Sequence, residues 1–162
     1  MTNRTATAQA PGYCKFKLGD FTVVAAHEGV VARDRPAGFV RNAPDEAVGD
    51  AFATIGLPRD KLTITFTALA VDTGKDVVLV DTGFDQSGPP TTGKLLGNLQ
   101  AAGIAASDIG TVILSHFHGD HISGLRDRDG NPAFPRTPRS QCPPRNGRSG
   151  RTNPAQPRRP RA

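Results

Sequence analysis

Tryptophan is absent from this 162-residue chain, and it holds only one tyrosine, one methionine and two cysteines. Cys14 and Cys142 stand too far apart for a Cys-x-x-Cys metal knuckle, and two thiols make no disulfide framework. Neither receives a role: a half-buried strand thiol is expected at Cys14 and a stray thiol at Cys142. No segment approaches the ~20 apolar residues of a membrane span. Met1 to Pro11 lacks the apolar stretch of a secretory signal. The expectation is a soluble, cytoplasmic protein without a membrane partner.

Acidic residues are missing after Asp129 and histidines after His121. The net charge of +5 invites an acidic partner such as nucleic acid, but its distribution argues against one. Of 20 Lys and Arg residues, eight are arginines at or after Arg136; residues 1–135 hold the other 12 against 15 acidic residues, a net −3. The body is mildly acidic and only the tail is basic. That tail has no aromatic side chain for base stacking and no helical pattern, so no specific nucleic-acid partner is expected.

What is present has the order of an α/β layer. Tyr13 to Leu18 and Phe21 to Ala26 read as two short strands joined by a turn at Gly19-Asp20. Asn42 and Asp45-Glu46 open a helix with Ala47, Phe52 and Ile55 near one face, stopped by Gly56 and Pro58. Leu62 to Val71 and Asp76 to Val80 are the strongest strand patterns. A second helix begins at Thr91 or Thr92, places Leu95, Leu96 and Leu99 on its buried stripe and ends at Gly103. Thr111 to Leu114 is a short apolar strand leading into a histidine cluster.

Three of the four histidines lie within residues 116–121. In an extended segment His116 and His118 point the same way and present two imidazoles to one cation. If Gly119 turns the chain into a helix start, Asp120 and His121 enter the same hollow from another direction, ready for a second cation. Neutral imidazole and carboxylate suit Zn²⁺, at roughly 2.0–2.2 Å. Two plainer readings stay open: a polar loop whose histidines bond to backbone and water, and a short His-rich tract that takes up metal adventitiously. His27 stands outside the cluster and reads as a loop histidine without a partner.

Ser115-His116-Phe117-His118-Gly119-Asp120-His121, followed by Ser123-Gly124-Leu125, resembles the H-x-H-x-D-H signature of the metallo-β-lactamase superfamily of hydrolases. Val78-Leu79-Val80-Asp81-Thr82-Gly83 resembles its second hallmark, a strand ending in Asp-Thr-Gly. Leu18-Gly19-Asp20-Phe21, that strand and Phe134-Pro135 look most like the branch of methyl parathion hydrolase and related lactonases. The resemblance covers residues 13–135.

It implies an α/β fold, the N-terminal half of an αββα sandwich, with a dinuclear zinc centre: His116 and His118 on one metal, Asp120 and His121 on the other. These four are the expected catalytic and metal-binding residues. A bridging water with its pKa lowered towards ~7 would attack an ester, lactone or phosphotriester substrate, with Asp120 helping to orient it. Asp81 is expected behind the ligands, fixing the motif loop by hydrogen bonds. A strand-end carboxylate that only caps the following turn is the alternative.

The same resemblance implies further ligands that this chain does not supply: another His, a bridging carboxylate and a final His. The domain reading is a flexible N-terminus over 1–12, a partial metallo-β-lactamase domain over 13–135, and a disordered Arg/Pro-rich tail over 136–162. Out-of-frame translation of a GC-rich gene yields such a tail. Codons permitted for Arg139 to Asn153, read two nucleotides later, can spell I-A-V-P-A-P-E-W-A-F-W-T-D-E, which looks like the family's continuation. The expectation is therefore a hydrolase by lineage in a truncated or frameshifted product. The alternative is an inactive remnant that binds metal weakly or not at all. A sheet without its opposing layer is also expected to expose a large apolar face.

Overall fold

The computed structural model describes residues 12–84 and 88–137. Residues 1–11 of the flexible N-terminus expected over 1–12, residues 138–162 of the disordered tail expected over 136–162, and Cys142 lie outside the described residues. Gly12 at one end accepts a hydrogen bond from the His27 amide at 2.8 Å. At the other, Arg136 and Thr137 lie past the expected boundary yet bond to the carbonyls of Asp108 and Ile109.

Five strands form one sheet in the order β1-β2-β3-β4-β5. They are β1 (Tyr13–Leu18), β2 (Phe21–Asp34), β3 (Lys61–Asp72), β4 (Val77–Val80) and β5 (Ile109–Ile113). The first four make an antiparallel meander, and β5 joins β4 in parallel. Parallel pairing needs a crossover, which is supplied here by the helix α2 (Leu95–Ala101). A second helix, α1 (Asp45–Thr54), lies in the β2–β3 connection, where Asp45 accepts a 2.7 Å bond from Arg35.

β2 runs eight residues past the expected end at Ala26, so His27 is not in a loop: it pairs with Thr67 in mid-strand. A bulge between His27 and Gly29 leaves Glu28 as the extra residue. Such a bulge re-aims side chains without ending the strand.

One sheet face carries Val24, Ala26, Ala68, Ala70 and Leu79, which pack with Leu95 and Leu99 of α2, Ile109 and Phe134 into the core. Leu96, expected on the buried stripe of α2, is 40% exposed. On α1 the buried residues are Val48 and Gly49, whereas Ile55 is exposed; the helix ends before it.

The opposite face is largely exposed, although Val23 within it is buried. Register pairs Leu18 with Phe21, Phe16 with Val23, Leu69 with Val80 and Val80 with Ile113. Since alternate residues of a strand share a face, these side chains stand together, and Phe16, Leu18, Phe21, Leu69 and Ile113 are all among the exposed large hydrophobics. Cys14 lies on this face too, exposed and not half-buried, because β1 is the sheet's edge.

Candidate metal centre

The parallel pair β4–β5 builds the site at its C-terminal edge. Asp81 continues β4 by donating its amide to the Ile113 carbonyl at 2.8 Å, then turns at φ 62°. It is the one non-glycine residue with positive φ among those described. L-residues avoid that region, and Asp tolerates it better than most. The turn brings the carboxylate to the start of the histidine segment. Asp81 Oδ1 accepts the Ser115 amide at 2.8 Å and Oδ2 accepts the Ser115 hydroxyl at 2.8 Å.

Downstream, His118 caps the short helix α3 (Gly119–Ile122), which carries Asp120 and His121. The expected helix start at Gly119 is therefore present. His116 and His118 have ring centroids 4.6 Å apart, and His116 and His121 are 3.9 Å apart. His121 Nδ1 lies 2.8 Å from Asp81 Oδ2, and its Nε2 lies 3.2 Å from Asp120 Oδ2. All four expected ligands and Asp81 are thus brought together at one edge. Asp81 does more than cap its own turn.

Two backbone ties lock α3 to the strand end. Thr82 is 2% exposed, and both its amide and its hydroxyl donate to the His121 carbonyl, at 2.9 and 2.8 Å. The Gly124 amide donates to the Gly83 carbonyl at 3.1 Å, and a Cβ on Gly124 would overlap the Thr82 carbonyl. The glycine after the signature is a requirement of that close approach.

Partial burial of Asp81 opposes its ionisation. The Ser115 amide, the His121 imidazole and the Ser115 hydroxyl outweigh that cost and hold the carboxyl below its usual pKa. An ionised Asp81 that accepts the Nδ1 proton of His121 leaves the Nε2 lone pair, beside Asp120 Oδ2, as that ring's metal donor.

A cavity of about 260 Å³ opens beside α3, with Asp81, Asp120, His121, Gly83, Phe66 and Glu28 in its wall. The donor set of three imidazoles and a carboxylate matches a borderline divalent ion such as Zn²⁺ in type. Among the described residues, however, no three donors already surround a single point in a geometry that holds an ion.

Ser115, Thr82 and Glu28 were not singled out from the sequence. Ser115 and Thr82 sit inside the quoted motifs, where hydroxyl side chains carry no distinctive signal. Glu28 had one: a carboxylate amid an apolar run from Val23 to Val31, visible only once the strand is known to continue through it.

The family profile of the metallo-beta-lactamase superfamily matches residues 47–128, half of the 162-residue chain. The chain belongs to the metallo-beta-lactamase superfamily. Within that superfamily it is similar to AidC, a dizinc quorum-quenching lactonase solved with the product N-hexanoyl-L-homoserine, at 28% identity and a TM-score of 0.72. The match covers 78% of this chain and 43% of AidC. A hydrolase of the beta-lactamase superfamily, AbOPH, matches at 25% identity and a TM-score of 0.69, over 80% of this chain and 44% of its own. A probable metal-dependent hydrolase from Staphylococcus aureus shares the fold, with 19% identity and a TM-score of 0.60, over 75% of this chain and 47% of its own. No curated protein matches the sequence. The chain spans less than half the length of these solved relatives.

Proposed function

We propose that this chain carries the first ligand half of a zinc-dependent hydrolase that acts on ester or lactone bonds, with phosphotriesters as a further substrate class. The observation that carries the reading is the convergence of His116, His118, Asp120 and His121 at the edge of β5, with Asp81 bound to His121 Nδ1. Kinship with a dizinc lactonase supports both the metal and the substrate class.

His116 and His118 are assigned to one metal, Asp120 and His121 to the other. Zinc, when bound there, supplies Lewis acidity, which lowers the pKa of a water and polarises the substrate's carbonyl or phosphoryl group. The protein's own contribution is to pre-orient the donors. Asp81 sets the His121 tautomer, Ser115 ties the loop to Asp81, and Thr82 holds the backbone of α3. Asp120, the carboxylate nearest His121 Nε2, is assigned to orient the attacking water.

A second reading is an inactive remnant that binds metal weakly or not at all. It is favoured by the absence, among the described residues, of a ready three-donor group. Catalytic zinc sites take about three protein ligands per metal, and the four assigned here supply two for each.

Elemental analysis of the purified chain, with assays on N-acyl homoserine lactone, aryl ester and phosphotriester substrates, separates the two. Stoichiometric zinc and hydrolysis that is abolished by His118→Ala are the expected result. Substoichiometric zinc with no turnover of any of the three substrates establishes the remnant and overturns the hydrolase.

A further inference from the structure

Glu28 is 1% exposed, and its Oε2 is the buried side-chain polar atom without a hydrogen-bond partner among the described residues. A buried orphan of this kind requires an explanation. Glu28 is the extra residue of the β2 bulge, and it lines the same cavity as Asp81, Gly83, Asp120 and His121. Oε1 accepts the Gly93 amide at 2.6 Å. The Glu28 carbonyl accepts the Lys94 amide at 2.9 Å. Gly83 sits at φ 70°, and a Cβ there would overlap the Glu28 side chain.

The same turn carries the ligand side. Asp81, Thr82 and Gly83 are consecutive: the first bonds His121 Nδ1, the second bonds the His121 carbonyl twice, and the third accepts the Gly124 amide. Glu28 therefore packs against Gly83, the last residue of a turn whose first two residues bond His121.

We propose that Glu28 is a positioning residue: by accepting the Gly93 amide and filling the space against Gly83, it holds the Asp81–Gly83 turn and so sets the orientation of His121. The proposal deepens the functional reading above and rests on His121 as a metal ligand. Burial pushes the Glu28 carboxyl above its ordinary pKa, with the bonds from Gly93 and Phe84 and the charge of Lys94 pulling it back in part. A neutral acid still accepts at Oε1, and a glutamine reproduces that acceptor.

The test compares wild type, Glu28→Gln and Glu28→Ala in the full chain. Each is melted, titrated with Zn²⁺ against a chromophoric chelator, and scanned metal-free for the ¹⁵N signals of the His121 ring. Glu28→Gln is expected to keep the His121 signals and a zinc affinity within about threefold of wild type. Glu28→Ala is expected to shift the Nδ1 signal and lower zinc affinity about 10–100-fold, the range seen when groups behind metal ligands are removed. If Glu28→Ala does not fold, Glu28→Asp replaces it, since it keeps the carboxyl but withdraws it from Gly93. Unchanged His121 signals in Glu28→Ala, or in Glu28→Asp where that replaces it, overturn the proposal, as does a Glu28→Gln protein as damaged as Glu28→Ala. A general loss of stability lowers the melting temperature yet leaves the ring signals of the folded population in place. Should the wild type bind no zinc, the hydrolase reading falls, while the metal-free ring signals still decide the role of Glu28.

Discussion

Asp81 Oδ2 lies 2.8 Å from His121 Nδ1 and joins the end of β4 to the helix that follows the histidine pair. The residue reaches this contact only by holding φ at 62°. Asparagine tolerates that conformation and still accepts the Ser115 amide, but it offers no charge to the imidazole. Asp81→Asn is therefore expected to fold normally and to lose about 10-fold or more in zinc affinity. Asp81→Ala adds a backbone cost of ~1–2 kcal/mol. Chelator competition measures the first effect and urea unfolding the second.

Stability is expected to depend on pH through Glu28. Burial raises its folded-state pKa above the ordinary value of 4.5, so the folded chain holds this proton more tightly than the unfolded one. The contribution is fully present below the unfolded pKa and is lost as pH rises through the folded pKa. Glu28→Gln removes the titration. Its melting temperature relative to wild type should rise with pH above 4.5 and then level off, as read by thermal melts in a buffer series.

Two glycines should respond to alanine with opposite signs. A Cβ on Gly124 overlaps the Thr82 carbonyl, so Gly124→Ala is expected to destabilise by ~1–3 kcal/mol and to loosen α3. Gly97 lies within α2 with open space around its Cα. Gly97→Ala is expected to stabilise by ~0.5–1 kcal/mol, because alanine loses less conformational entropy in a helix. Urea titrations of both variants check the contrast.

The exposed apolar side chains on the second sheet face predict self-association. Leu69 and Ile113 are 40% and 51% exposed, and both pair with Val80 across the sheet. Exposed apolar patches of this extent drive association. Leu69→Thr combined with Ile113→Thr places a β-branched strand former at both positions while removing the apolar surface. Lower binding of a hydrophobic dye and a smaller sedimentation coefficient are expected, without a lower melting temperature.

The histidine cluster and the Asp-Thr-Gly strand were legible in the sequence because short-range geometry places them. Residues two apart on an extended segment share a face, and a glycine permits the turn into α3. The strands at Tyr13–Leu18, Lys61–Asp72 and Val77–Val80 were readable for the same reason, since alternation and β-branching are local properties. The superfamily followed from the two motifs in order.

The tertiary structure alone decided how far β2 extends, because its continuation past Ala26 depends on pairing with β3 and on a bulge that no local pattern announces. It likewise decided that Leu96 and Ile55 face outward, since which stripe of a helix is buried depends on where the sheet lies. Above all it brought Thr82 and Ser115 to His121 and Glu28 against the turn that carries Asp81. Those contacts cross from 6 to 65 residues of chain, for instance Glu28 with Gly93 and Ser115 with His121, and are made by groups with no periodicity of their own. Sequence determined which donors this protein can offer a metal; packing determined what holds them in place.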